Sequence, residues 1–351
     1  MKKEIREKIR ERQKQAKERY KENKSRFSGI IQTSARESVI YDHIFEKVDN
    51  NCSIDGIKLM KTDTVSALSA LADETKMDAN KIAVLNFASA LNPGGAFMNG
   101  SMAQEEALCH ESTLYNVLEM KSDFYEKNKE DQKKGLYKNR AIFSPSILFF
   151  TKIGNIVTNV ITCAAPNKYR ALDGKIPESM IDYTMDMRIS FMYDIAKKQD
   201  IKTLILGAWG CGVFGNDPHT VCRLLIKRRP KGMNVIFAIP DKKNFDAFTE
   251  EMHKTDIPVK QTIRSFIKSH GWNMECPLIP MASAMTVHVG FINNENVEDE
   301  TSFDVKAYDV NELAKLFMDF CHENDYKTNS VTEVSIVDLA ETMDEIEKNN
   351  L

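Results

Sequence analysis

The sequence has no run of about 18 apolar residues, so no membrane-spanning helix is expected from it. Its start, Met1-Lys2-Lys3-Glu4, continues highly charged and lacks the apolar core of a signal peptide. No CxxC pair occurs among the seven cysteines, which are scattered and odd in number. Free thiols in a reducing cytoplasm are therefore expected. No Walker A loop is present, and there is no internal repeat or low-complexity segment. The net charge is only −3, which argues against bulk nucleic-acid binding.

What is present is ordinary in bulk and uneven in detail. A chain of 351 residues, 42% hydrophobic and 28% charged, reads as a soluble globular protein of about two domains. Residues 1–26 are mostly Lys, Arg, Glu and Gln, with basic residues outnumbering acidic ones. Ile5, Ile9, Ala16 and Tyr20 form a thin apolar stripe, so the spacing predicts a helix. That helix is either solvated on a domain surface or a contact to a polyanion.

Short apolar runs follow at Ile82–Ala88, Asn155–Ala165, Thr203–Ala208 and Asn234–Ile239, with a weaker one at Ile57–Met60. Each is expected to be a strand buried on both faces. Helical patterns lie between them: residues 64–75 after the N-cap candidate Asp63, 105–120, 177–198, 217–229 and 241–254. This alternation predicts an α/β fold with a mostly parallel sheet covered by helices on both faces. Near Pro258 the pattern changes. A helix over 261–270, a linker over 271–284, a half-exposed strand at Met285–Phe291, an amphipathic helix over 310–324 and a further strand over 332–337 predict a small α+β module with no catalytic constellation.

Two glycine-rich loops follow strands, "ASALNPGGAFMNG" after Phe87 and "GAWGCGVFGND" after Leu206. In open parallel sheets ligands bind beyond the carboxyl ends of strands, and glycines let backbone N–H groups approach a phosphate closely. Each loop alone also fits plain turn geometry. Together, on neighbouring strands, they suit a diphosphate. Gln104, Glu105 and Glu106 come next, at the start of a helix. Adjacent side chains diverge there, so one carboxylate can hold a substrate while the other reacts; both also fit a helix N-terminus electrostatically.

The stretch "LNPGGAFMNGSMAQEEALCHESTLY", with "NFASALNPGG", "VITCAAPN" and "LGAWGCGVFGND" in order, resembles the bacterial-type poly(ADP-ribose) glycohydrolases of the macrodomain superfamily over roughly residues 1–255. The resemblance implies a macrodomain-like three-layer α/β/α fold. Residues 1–55 would be a helical extension packed on a catalytic domain of residues 56–255, with residues 270–351 as a separate module. It implies hydrolysis of the ribose–ribose bond of poly(ADP-ribose), without metal or cofactor. By position, Glu106 would be the catalytic acid and Glu105 would bind the ribose at the scissile bond. Ser89 would contact the distal ribose. Gly94, Gly95 and Ala96 would form the diphosphate loop, with Gln104 among the binding residues. Gly210, Cys211, Gly212, Val213, Phe214 and Gly215 would form the opposing loop, Phe214 packing on the ribose. The partner would be the polymer or an ADP-ribose-modified macromolecule; the polyanion open to the N-terminal helix is nucleic acid or an ADP-ribose polymer.

One departure stands out, since the family triplet ends in glycine and this chain has Ala96. If that position needs a positive φ, alanine costs about 1 kcal/mol or more there, and its β-carbon would crowd a diphosphate. Two further readings stay open: a macrodomain that binds ADP-ribose without cleaving it, and a hydrolase of single ADP-ribose units on protein or nucleic acid. Cys109-His110 raises zinc, but adjacent side chains on a helix diverge. Cys109 reads as a core thiol. The reactivity of Cys211 depends on its exposure and pKa. Trp209 and Tyr169 could stack on adenine or pack in the core.

Overall fold

The computed structural model describes residues 2–42, 54, 56–74, 78–130, 132–256, 284–292, 298–306 and 331–338. Chain contacts divide it into two compact units, Met1–Thr255 and Asp256–Leu351.

The first unit is built on a seven-stranded sheet of β1 (Val39–Tyr41), β2 (Ile57–Met60), β3 (Ile82–Phe87), β4 (Ala141–Thr151), β5 (Gly154–Cys163), β6 (Thr203–Leu206) and β7 (Asn234–Ala238). Their spatial order is β1-β4-β5-β3-β6-β7-β2. β5, β3, β6, β7 and β2 run parallel, while β4 and β1 close one side antiparallel. The apolar strands alternate between two cores, as a period of two requires. Ala83, Leu85, Leu204, Leu206, Val235 and Phe237 face one core; Ile82, Val84, Ile205, Ile236 and Ala238 face the other.

Helices cover both faces. In chain order they are α1 (Lys2–Arg26), α2 (Ser28–Glu37), α3 (Thr64–Glu74), α4 (Gln104–His110), α5 (Leu114–Glu119), α6 (Ser122–Glu130), α7 (Lys168–Asp173), α8 (Glu178–Lys198), α9 (Pro218–Lys227) and α10 (Lys242–Asp256). Met185, Ile189 and Met192 of α8, Val221 and Leu225 of α9 and Phe248 of α10 fill the first core. Residues of α1 to α6, among them Ala16, Ile31, Leu68, Leu108, Val117 and Phe124, fill the second. The mostly parallel, three-layer α/β/α arrangement is the one expected.

The expected single helix over 105–120 is two. α4 stops at His110, and residues 111–113 leave the helix because they pair with β4. Thr113 N–H donates to Leu148 O (3.0 Å), its hydroxyl accepts from Leu148 N–H (3.1 Å), and Phe150 N–H donates to Glu111 O (2.8 Å). The long basic α1 lies across this break. Arg19 Nε donates to His110 O (2.9 Å), and Asn23 Nδ2 donates to Ser112 O (2.9 Å) and Asn116 Oδ1 (3.1 Å).

On the first core side, the fully buried Arg188 of α8 donates to Asn139 Oδ1 (2.6 Å), to Ala164 O, and to Leu136 O (3.0 Å) and Tyr137 O (3.3 Å). These acceptors compensate a buried cation that has no carboxylate among them. They also pin the segment after β5 beside the carboxyl end of the sheet.

In the second unit, β8 (Ala284–Ile292), β9 (Glu298–Lys306) and β10 (Val331–Asp338) form an antiparallel sheet in the order β10-β8-β9. The strands expected at Met285–Phe291 and 332–337 fall in β8 and β10; β9 was not expected. The helices expected over 261–270 and 310–324, and the linker but for its last residue, lie outside the described residues. Among the described residues, no helix is long and apolar enough to cross a membrane.

Candidate active site

The site forms where β3 and its neighbours β5 and β6 end. The loop after β3 turns through Gly94 (φ 63°) and Gly95 (φ 60°), a left-handed pair that L-side chains rarely adopt. Space requires glycine here as well. A β-carbon on Gly94 would meet the Tyr115 ring at 2.5 Å, and one on Gly95 would meet Glu106 Oε1 at 2.5 Å and Glu105 Oε2 at 2.9 Å. The acid pair therefore packs directly beneath the glycine turn.

α4 carries three successive polar side chains with three separate tasks. The amide of Gln104 is taken up by β3: its Oε1 accepts from Phe87 N–H (2.8 Å), and its Nε2 donates to Leu85 O (2.8 Å) and Thr64 Oγ1 (3.3 Å). Gln104 so fixes the start of α4 to the end of the strand. Glu105 is 3% exposed and accepts from Asn86 Nδ2 (3.1 Å) and Ser89 N–H (2.7 Å). Glu106 is 6% exposed; its Oε1 accepts from Ala96 N–H (2.9 Å), while its Oε2 is buried with no hydrogen-bond partner among the described residues. A buried carboxyl oxygen without a donor is costly and is rarely left so without a role.

The second loop closes on itself. Asn216 N–H donates to Gly210 O (3.0 Å), and Asn216 Nδ2 donates to Pro166 O (2.8 Å) and Gly210 O (3.1 Å). Phe214 O accepts from Lys168 N–H (2.9 Å), which ties the loop to α7. Gly215 (φ 73°) packs under the exposed ring of Tyr169. Between these anchors, the N–H groups of Gly212, Val213 and Phe214 donate to no acceptor among the described residues, and Gly212 has open space on its side-chain side. Such a run of backbone donors can cradle an anion. β3 and β6 are neighbours, so the two loops leave adjacent strands at the carboxyl edge of the sheet, where ligands of such sheets bind.

No curated protein matches the chain. Residues 6–152 match the family described as microbial-type PARG, catalytic domain. Over these residues the chain is similar to the microbial-type poly(ADP-ribose) glycohydrolase (PARG) family. A solved PARG from Thermomonospora curvata is similar at 27% identity and a TM-score of 0.59, covering 69% of this chain and 99% of that one. The same protein bound to the inhibitor ADP-HPD gives 27% and 0.58 over the same shares. A PARG from Deinococcus radiodurans in complex with ADP-ribose gives 28% and 0.54, covering 64% of this chain and 97% of that one. The three-layer sheet is thus the macrodomain-like fold of these proteins. The family match spans the first glycine loop and the acid pair and ends before the second loop.

Within this PARG-like region the structure answers the backbone part of the question raised by Ala96. Its φ is −108° and ψ 31°, an ordinary conformation for alanine, so the missing third glycine carries no left-handed strain. Its N–H, which any residue but proline would supply, is what holds Glu106. Ser89 contributes its N–H to Glu105, and its hydroxyl accepts from Leu91 and Asn92 N–H (3.2 Å each), shaping the loop. Cys109 and His110 point apart: Cys109 is fully buried in the second core, and His110 packs edge-on against Phe97 with ring centres 4.7 Å apart. Cys211 is half-buried, and burial pushes its thiol well above the usual range, so it is not a reactive thiolate. Trp209 is a core residue at 1% exposure; Tyr169 and Val213 are exposed on the rim. Asn86 and Asn216 were not singled out in the sequence. Their one signal was position: Asn86 interrupts an otherwise apolar buried strand.

Burial pushes the Glu105 carboxyl up from 4.5 to about 8, against the opposing pull of its N–H donors. The folded chain then holds this proton more tightly than the unfolded chain. Its stabilising contribution is complete below about pH 4.5 and is lost as pH rises through about 8. The melting temperature of the wild type should fall more between pH 5 and 8 than that of Glu105→Gln; parallel curves would contradict this. Ala96→Gly should lower stability by roughly 0.4–1 kcal/mol through unfolded-state entropy. It should bring no gain in ADP-ribose affinity by titration, because there is no strain to relieve.

Proposed function

We propose that this protein hydrolyses the ribose–ribose O-glycosidic bond of poly(ADP-ribose), releasing ADP-ribose. The observation that carries the reading is the half-satisfied Glu106, with one carboxyl oxygen fixed by Ala96 N–H and the other buried and unpartnered among the described residues, under a glycine loop whose strand neighbours that of a second. The solved relatives with ADP-ribose or ADP-HPD bound support a ligand of that class here.

Glycoside cleavage passes through an oxocarbenium-like state and needs a proton at the leaving oxygen. Glu106 supplies that proton through Oε2 and, once ionised, accepts one from the incoming water. Glu105, held by Asn86 and Ser89, binds the hydroxyls of the ribose at the scissile bond. The ligand diphosphate lies between the Gly94–Ala96 turn and the free N–H groups of Gly212, Val213 and Phe214, with Phe214 against the ribose. In this reading residues 56–255 form the catalytic domain and residues 1–55 its helical extension. Residues 270–351 form a module apart from the chemistry, and the protein works in a reducing cytoplasm.

Glu106→Gln keeps the side-chain volume and the acceptor for Ala96 N–H but cannot deliver a proton. It should lower polymer turnover by about 100-fold or more, with ADP-ribose affinity within about threefold of wild type. The assay pairs labelled polymer with singly modified protein and nucleic-acid carriers and identifies the products by mass. Free ADP-ribose from polymer, abolished in the variant, is expected. Release only from the singly modified carriers would make the enzyme a mono-ADP-ribose hydrolase. ADP-ribose binding with no release from any substrate would leave a binding module.

A further inference from the structure

The strongly basic α1 plays no part in the chemistry above. It carries twelve Lys and Arg against five Glu, in a chain whose net charge is −3. Where it crosses α4, the two helices and the loop before α4 enclose a cleft of about 340 Å³ lined by Arg12, Gln15, Arg19, Met102 and His110.

The lining divides into residues already engaged and residues left free. Arg19 is engaged: its Nε is on His110 O (2.9 Å), its Nη1 on Glu22 (3.1 Å), and its guanidinium lies over the Phe150 ring at 4.5 Å. Arg12 is half-buried and has no hydrogen bond or ion pair with any described residue. His110 Nε2 is buried and likewise has no partner. No carboxylate lines the cleft. Burial and the two guanidinium groups hold the His110 imidazole below its usual range, so near neutrality it is an uncharged hydrogen-bonding group beside a free cation. His110 lies four residues beyond Glu106 on α4, one turn along the same helix face.

An unpaired, half-buried guanidinium beside an unpartnered imidazole matches the oxygens of a phosphate. Under the reading above, on which this inference rests, the substrate carries a diphosphate in every unit. The glycine loops take the diphosphate of the unit being removed, and the next unit brings a second one past Glu106. We infer that the cleft between α1 and α4 is a second anion subsite that takes a phosphate of the polymer unit on the far side of the scissile bond. Binding of long polymer then draws on α1, whereas binding of ADP-ribose alone does not.

Arg12→Gln and Arg12→Glu test this in the full chain; Arg12 has no partner to lose, so both should fold, which melting curves verify. The KM for long polymer should rise about five- to tenfold with Gln and more with Glu. The Kd for free ADP-ribose should stay within about twofold. Removing one phosphate contact should also make the dependence of log KM on log salt shallower by roughly 0.7–0.9. Unchanged KM in both variants would overturn the subsite, and so would a loss of ADP-ribose affinity in step with KM. Competition by single-stranded RNA of matched length, as strong as that by unlabelled polymer, would instead show a general polyanion surface and overturn it too. If wild-type protein neither cleaves polymer nor binds ADP-ribose, the proposed function fails and the subsite with it. If cleavage is intact and insensitive to Arg12, only the subsite fails.

Discussion

The active site depends on one hydrogen bond, from Ala96 N–H to Glu106 Oε1. It fixes one oxygen of a buried carboxyl and leaves the other without a partner. The bond exists because the chain turns through two consecutive left-handed residues, and only glycine meets both demands at that turn. Gly95 needs its positive φ, and the space a β-carbon would fill already holds the oxygens of both glutamates. The glycine loop thus fixes the acid that packs beneath it.

Around this bond the sheet supplies rigidity. Gln104 continues the hydrogen bonding of β3 with its side-chain amide, so the first turn of α4 is registered to the strand. Asn86, buried within β3, carries that register to Glu105 and to Thr162 on β5 (3.3 Å). Asn86 and Glu105 are buried and Gln104 partly so, and each finds a partner on a neighbouring element. Groups so over-determined hold their geometry, which positioned acid catalysis requires. Arg188 does the same for the segment after β5, using carbonyl oxygens in place of a carboxylate.

Much of this could be read from the residues. β3, β5, β6 and β7 are short apolar runs, and a parallel sheet buried on both faces makes such runs. The two loops and the acid pair were visible because glycine and adjacent carboxylates are rare at such spacing. β4 was hidden by Pro145 and by Ser146, whose φ of 56° marks the shift in register between Ser144 and Ile147. The apolar pattern of 105–120 suggested one helix because it reports only burial. The break at residues 111–113 comes from pairing with β4, a contact distant in sequence. Ala96 shows the limit most plainly: the departure from a triplet of glycines was legible, but its φ was not, and that φ carries no left-handed strain. The roles of Asn86, Asn216 and Arg188 rest on partners 76, 50 and 52 positions away at their farthest, beyond any local pattern.

The most direct measurement of the central claim is a double-mutant cycle on turnover between Gly95→Ala and Glu106→Gln. A β-carbon at Gly95 displaces the Glu106 carboxyl from Ala96 N–H without removing it. If the loop acts through the acid, Gly95→Ala lowers kcat strongly on its own, and the double variant is no slower than Glu106→Gln alone. Losses that multiply in the double variant would show that the glycine turn and Glu106 act independently, and would contradict the account.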